Sequence, residues 1–259
     1  MARPRLTPNS GSSLINRVCL SLLFIMVLTL VIAPTFGQAW KKKPYTEWSM
    51  SDVVRILNDS PWAQTQIQSE SVNYGSPANS YVATIRLRSA LPIRQALLRQ
   101  KQFQMNYQRF TAADKARFDK ETEEFVRCPE CADYYIVTVG SPMIDDPAPR
   151  SPTFPGITAF DVLGPLRDAS LDTVKSSVYL ENNKGERRNL VHFIPPKAEH
   201  TEAMFVFPRK DAQGTILITA DTQSFYFKID PRLFKGQPLP LKPFKFDVQK
   251  LIENGAVVF

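Results

Sequence analysis

Apolar positions fill residues 18–33 almost without a break, as VCLSLLFIMVLTLVIA, and beyond that run they become periodic. Val53, Val54, Ile56 and Leu57 fall at helical spacing. Ser49 or Ser51 stands where a cap is needed, and Asn58-Asp-Ser-Pro61 supplies the stop, because the residue before a proline resists helical geometry. Residues 64–72 and 81–88 read as strands joined by the turn-rich stretch 73–79. In the second of them Val82, Ile85 and Leu87 do not alternate cleanly, so its register stays open.

Pro92 then opens a helix at a first-turn position that tolerates it. Ala96, Phe103, Tyr107 and Phe110 gather toward one face, with Arg94, Gln95, Arg99, Gln102 and Arg109 spread elsewhere. Thr111 to Asp114 resembles a capping box with Asp in place of Glu, and Phe118, Thr122, Phe125 and Val126 stripe the helix that follows. The two helices predict a hairpin set between strands, covering one face of a sheet. Residues 134–139, YYIVTV, have the β-branched and aromatic make-up of the next strand.

Residues 141–156 hold five prolines and predict a loop or linker. Past an ambiguous piece at 157–169 the remainder reads as β. Strands are expected at 176–180, 188–194, 203–208, 215–219, 224–229, 244–248 and 256–259, with Asn182-Asn-Lys-Gly185 as a hairpin turn. Phe205/Phe207, Phe225/Phe227 and Phe244/Phe246 are F-x-F pairs, and period two puts each pair on one face, as in an antiparallel sandwich or barrel layer. The fold class predicted is α+β: an antiparallel, sandwich-like C-terminal half, and a helical hairpin inserted between strands in the N-terminal half. The chain divides into a leader (1–39), an N-terminal α+β region (40–140), the proline-rich loop or linker (141–156) and a β-rich region (157–259).

The leader changes the picture of where the protein works. Arg3, Arg5 and Arg17 precede the apolar run, and Pro34 and the small-residue segment ending at Ala39 follow it, the order of a secretory signal peptide. Cleavage after Gly37 or Ala39 fits. The alternative is an uncleaved membrane anchor, although 18–33 is shorter than the roughly 20 residues that span a bilayer. Cys19 opens the run instead of closing it, which argues against a lipoprotein. With three arginines and no acid in the leader, the net charge of +7 falls to +4 on its removal. That modest excess, the export signal and the lack of a basic helix or aromatic-basic strand motif disfavour nucleic acid as a partner.

Candidate chemistry is sparse. No nucleophile elbow, paired-histidine zinc motif, P-loop or dinucleotide fingerprint occurs, and ten glycines leave little material for phosphate-cradling loops. Cys128-Pro-Glu-Cys131 follows a predicted helix and precedes a strand, the reverse of a thioredoxin-like site. A helix C-terminus, Glu130 and Asp133 all push a thiol pKa upward here, and the two histidines, His192 and His200, lie far along the chain. In an exported protein the pair is expected to form a local disulfide closing the helix-to-strand turn, with redox and metal roles as alternatives. Trp40, Trp48 and Trp62 cluster around the first helix, either as core anchors or as a stacking platform for sugars, and Lys41, Lys42 and Lys43 could touch anionic polymer or lipid. His192 reads as a buried or half-buried strand histidine, and Asp145-Asp146 as a solvated turn.

Trp48-Ser49 through Leu57-Asn-Asp-Ser-Pro-Trp-Ala63 behind a signal peptide, with Phe205-Val-Phe-Pro-Arg209 and Phe244-Lys-Phe-Asp247, resembles a group of exported proteins of environmental bacteria. The resemblance implies a bacterial, exported setting. It carries no activity and transfers no functional residue. The expectation is a secreted or periplasmic binding protein without a cofactor, its partner an envelope protein or polysaccharide, touching membrane only through an uncleaved leader. A thiol-disulfide protein using Cys128 and Cys131, or a hydrolase whose carboxylates converge only in the fold, are the alternatives.

Overall fold

The structure, a computed structural model, describes residues 40–70, 79–143, 158–160, 163–197, 202–230 and 242–259. The leader with Cys19, the Asp145-Asp146 pair and His200 lie outside the described residues. The chain divides into two compact units, Met1–Pro44 and Tyr45–Phe259. In the first, Lys43 N–H donates to the Trp40 carbonyl at 3.1 Å, and the Lys41 ammonium stands 5.7 Å from the Trp40 ring.

The second unit begins with helix α1, Met50–Asn58, whose cap is Ser49. Its hydroxyl accepts from Asp52 N–H at 3.2 Å and the Asp52 carboxylate accepts from Ser49 N–H at 3.0 Å, satisfying two donors that a helix start leaves orphaned. Val53, Ile56 and Leu57 form its buried face. Strands β1 (Asp59–Ser60), β2 (Ala63–Glu70) and β3 (Asn79–Leu87) follow. Then come α2 (Leu91–Gln104) and α3 (Ala112–Arg127), a helical hairpin between β3 and β4 (Tyr134–Gly140). Thr111 caps α3 through Asp114 N–H at 3.2 Å.

Beyond β4 come β5 (Thr158–Phe160), two one-turn helices α4 (Gly164–Arg167) and α5 (Leu171–Val174), and β6 (Val178–Asn182). They are followed by β7 (Arg187–Asn189), β8 (His192–Ile194), β9 (Ala203–Pro208), β10 (Ser224–Ile229) and β11 (Phe244–Asp247). A last hairpin pairs β12 (Ile252–Glu253) with β13 (Ala256–Val257). One sheet runs β1-β2-β3-β4-β9-β8, with β5 added parallel to the start of β3; a second runs β11-β10-β6-β7 and is antiparallel throughout. The first sheet therefore takes strands from both sides of the proline-rich stretch.

The phenylalanine pairs lie where period two puts them. Phe205 and Phe207 of β9 meet Phe227 of β10 at ring separations of 5.3 and 6.2 Å, and Phe225 stacks on Phe246 of β11 at 5.0 Å. These rings are buried; the Phe205 and Phe207 contacts with Phe227 join the two sheets, as in sandwich packing, while Phe225 and Phe246 stack across neighbouring strands of the second. On the first sheet's other face, α1 packs on α2, β2 and β3, and α2 packs on α3. Buried Arg86 of β3 ties this side together, donating to the Leu57 carbonyl at 2.7 Å and to Ser141 O at 3.1 Å while pairing with Glu202. Leu57 O is one of the carbonyls that the end of α1 leaves without a helical partner.

Three expectations change. The single strand predicted at 188–194 is two, because the chain crosses between sheets at Leu190-Val191: β7 pairs β6 in one sheet and β8 pairs β9 in the other. Residues 215–219 make an isolated bridge, Lys210 to Ile216, around the Asp211–Thr215 turn instead of a strand. The inward face of α2 is also not the aromatic one: Ile93, Ala96 and Leu98 are buried together with Arg94, Arg99 and Gln102. The helix ends at Gln104, and Tyr107 lies in a separate 3-10 turn, Tyr107–Arg109.

Candidate functional site

The hairpin of α2 and α3 walls two adjoining cavities, about 540 and 300 Å³ in volume, which share Tyr45 and Asp119 in their linings. The larger one has apolar walls from Leu91, Leu98 and Val126 and polar groups from Arg94, Asp119, Glu123 and Arg127. The smaller one is polar, lined by Arg99, Gln102, Tyr107 and Lys115. An apolar space with a few placed polar groups is the usual make-up of a small-molecule site.

Each polar group is positioned by a local cause. Arg99 extends from the buried face of α2, where its Nε donates to the Trp48 carbonyl at 3.0 Å and Nη1 donates to Gln102 Oε1 at 3.0 Å. Its guanidinium lies 4.4 Å from the Phe103 ring, a cation-π contact. Burial lowers its pKa, with Tyr45 acting in the opposite sense. Arg94 reaches the end of α3: its Nε donates to Val126 O at 2.8 Å and Nη1 donates to Ser89 O. It thereby satisfies one of the last carbonyls of that helix and places positive charge at its negative end. Tyr107 packs against Phe118 at 5.2 Å and its hydroxyl donates to both Asp119 oxygens at 2.8 Å. Loss of solvent and then the Asp119 hydrogen bond raise its pKa. Lys115 lies 5.6 Å from the Tyr107 ring.

The cysteines close the end of this hairpin. Cys128 follows α3 in a left-handed conformation (φ 48°), and Pro129–Ala132 forms a 3-10 turn before β4. The two sulfurs stand 1.94 Å apart, bonding distance for a disulfide, and pack on Ile136, Met204 and Val206. Arg94 Nη1 lies 3.5 Å from Cys131 Sγ. The acidic surroundings read from Glu130 and Asp133 are thus joined by a buried cation from α2, which linear sequence does not bring near the cysteines.

The sequence-derived binding candidates lie elsewhere. Trp48 and Trp62 are 3% and 0% exposed, so neither indole offers a face for stacking; Trp62 Nε1 donates to Val258 O at 3.0 Å. The Trp48 carbonyl anchors Arg99 by accepting from its Nε. Trp40 is buried as well, and Lys41, Lys42 and Lys43 are exposed, all four in the first unit. His192 is exposed on β8, where a buried or half-buried histidine was expected. Asp119 and Glu123 stand four apart on the same helix, on one wall of the groove, so they do not face each other as a glycosidase pair does. Among the described residues no group of three or more His, Cys, Asp or Glu side chains converges as metal ligands, and no helix is long and apolar enough to cross a membrane.

Sequence reasoning missed Arg94, Arg99 and Gln102 because charged side chains at helical spacing read as a wet face. The available signal was the second half of α2, where Phe103 alone is apolar after Leu98: a helix packed on two neighbours must then bury polar positions there. Compared with protein families, curated proteins and solved structures, the chain matches none.

Proposed function

We propose that this is an exported binding protein of the bacterial envelope whose ligand occupies the groove between α2 and α3. The observation that carries the reading is the pair of adjoining cavities, apolar at Leu91, Leu98 and Val126 and polar at Arg99, Gln102 and Lys115. The leader supports the exported setting through its order of basic, apolar and small residues. The rest of the molecule acts as scaffold: α1, which the Arg86 tie holds to the first sheet, packs on α2. A ligand-observed NMR screen of small acids, amines and neutral aromatics tests it. Val126 is half-buried on the larger cavity, so Val126→Trp fills space without opening the core. Compounds that bind the wild type are expected to lose binding to Val126→Trp; equal binding by both proteins would move the site elsewhere.

A second reading is favoured by the Arg94 contact alone. A cation beside Cys131 Sγ favours its thiolate. In exchange with a dithiol, one of its thiolates attacks Cys128 Sγ, the Cys128–Cys131 bond breaks and Cys131 leaves as the thiolate beside Arg94; the second thiolate then attacks the mixed disulfide, Cys128 leaves as a thiolate and the dithiol is oxidised to a disulfide, so that the reduced pair can in turn reduce a protein disulfide by the same steps in reverse. Catalysed reduction of insulin by dithiothreitol, lost in Cys131→Ser, is the result this reading requires. The binding reading requires no such catalysis, and a double serine variant that still binds the screen's compounds.

A further inference from the structure

Buried arginines are ordinarily paired with carboxylates, because an unpaired charge away from water is costly. Arg94 and Arg99 are 6% and 9% exposed, and among the described residues neither forms an ion pair with a carboxylate. Their hydrogen-bond partners are neutral: Val126 O, Ser89 O and Cys131 Sγ for Arg94, which also feels the Glu130 carboxylate through space, and Trp48 O and Gln102 Oε1 for Arg99. A guanidinium has five N–H donors, so Arg99 keeps three without an acceptor among the described residues, in a side chain that lines the smaller cavity. Arg94 lines the larger one.

The acids in the groove do not meet this demand. Asp119 accepts the Tyr107 hydroxyl on both oxygens, and Glu123 is exposed on α3. Arg127 and Lys115 add further positive charge to the two linings. Next to the cations lie the apolar walls of Leu91, Leu98 and Val126.

We propose that the groove takes an amphiphilic carboxylate: an acid group on the free edge of the Arg99 guanidinium, within the polar cavity, and an apolar chain or ring along Leu98 and Val126 in the larger one. A planar guanidinium matches a carboxylate by two parallel N–H···O bonds. This rests on the groove being the binding site.

Octanoate, octylamine and octanol are the probes, titrated into the full protein and followed by the Nε–H signals of Arg94 and Arg99 and by amide shifts. Octanoate is expected to bind and to move both arginine signals. Arg99→Met is expected to weaken octanoate about tenfold or more, the scale of a lost charged hydrogen bond. Arg99 holds the Trp48 carbonyl, so Lys115→Gln is measured beside it as a surface change, with a smaller loss expected. Octylamine or octanol binding as tightly as octanoate, with the α2 and α3 amides shifting, would overturn the carboxylate assignment and leave the groove as the site. If no probe shifts the groove amides while compounds from the wider screen bind elsewhere, the groove reading falls as well.

Discussion

Arg86 shows at the scale of a single residue how the end of α1 is held to the first sheet. Its guanidinium collects the end of α1, the Asn58 side chain, Ser141 O and the Glu202 carboxylate in one place. Burial lowers its pKa and Glu202 opposes that effect, so the pair survives only because each demand is met. Gly140 belongs to the same arrangement, since a Cβ there would come 2.8 Å from Glu202 Cγ. Glu202→Ala leaves a buried cation uncompensated and is expected to destabilise the protein by about 3 kcal/mol, the low end for a broken buried pair because Glu202 keeps some solvent contact. Urea denaturation measures it, and a loss below about 0.5 kcal/mol, the scale of an exposed pair, would show that the pair is not structural. None of this was legible in the sequence. Arg86 and Glu202 are far apart along the chain, and Arg86 sits in a strand whose apolar positions did not alternate.

Elements whose side-chain period matches one buried face were the readable ones. The helical hairpin, the strands at 203–208 and 224–229 and the turn at Asn182–Gly185 all carry local signals that tertiary packing does not overrule. Strand 188–194 looked continuous because β-propensity is blind to a change of sheet. The Asn254-Gly255 turn joining β12 to β13, both residues at positive φ (51° and 77°), is a strong hairpin signal in the final residues that was passed over. The groove was half legible: its helices could be placed, but their polar buried face could not. On the second sheet, Glu181 of β6 bridges Lys228 of β10 and Arg187 of β7. The Lys228 hydrogen bond holds its carboxyl below the usual range, and loss of solvent works in the opposite direction. A carboxylate with a depressed folded pKa contributes stability that is complete above its unfolded value, near 4.3, and lost as pH falls through the lower folded value. Glu181→Gln is therefore expected to be less stable than wild type at pH 7, and by a smaller margin at about pH 4, below the unfolded value. An equal gap at both pH values would show that charge is not what Glu181 contributes.

At the scale of the whole molecule, the aromatic contacts between the sheets supply rigidity, and the hairpin on the opposite face of the first sheet carries the proposed site. If the leader acts as the proposed export signal, intact-mass analysis of protein from its native host is expected to show a chain beginning at Gln38 or Trp40. A membrane-fraction species that retains residues 18–33 would replace secretion with anchoring. The central claim, that ligand binding belongs to the groove between α2 and α3, is tested most directly by mapping backbone amide shifts while a compound from the binding screen is titrated to saturation. The largest changes are expected within Leu91–Gln104 and Ala112–Arg127, with Tyr45 and Tyr107 included. Changes centred instead on Trp40 and Lys41 to Lys43, or on the second sheet where the Lys228 ammonium stands 5.8 and 5.4 Å from the Tyr179 and Tyr226 rings, with the two helices silent, would contradict it.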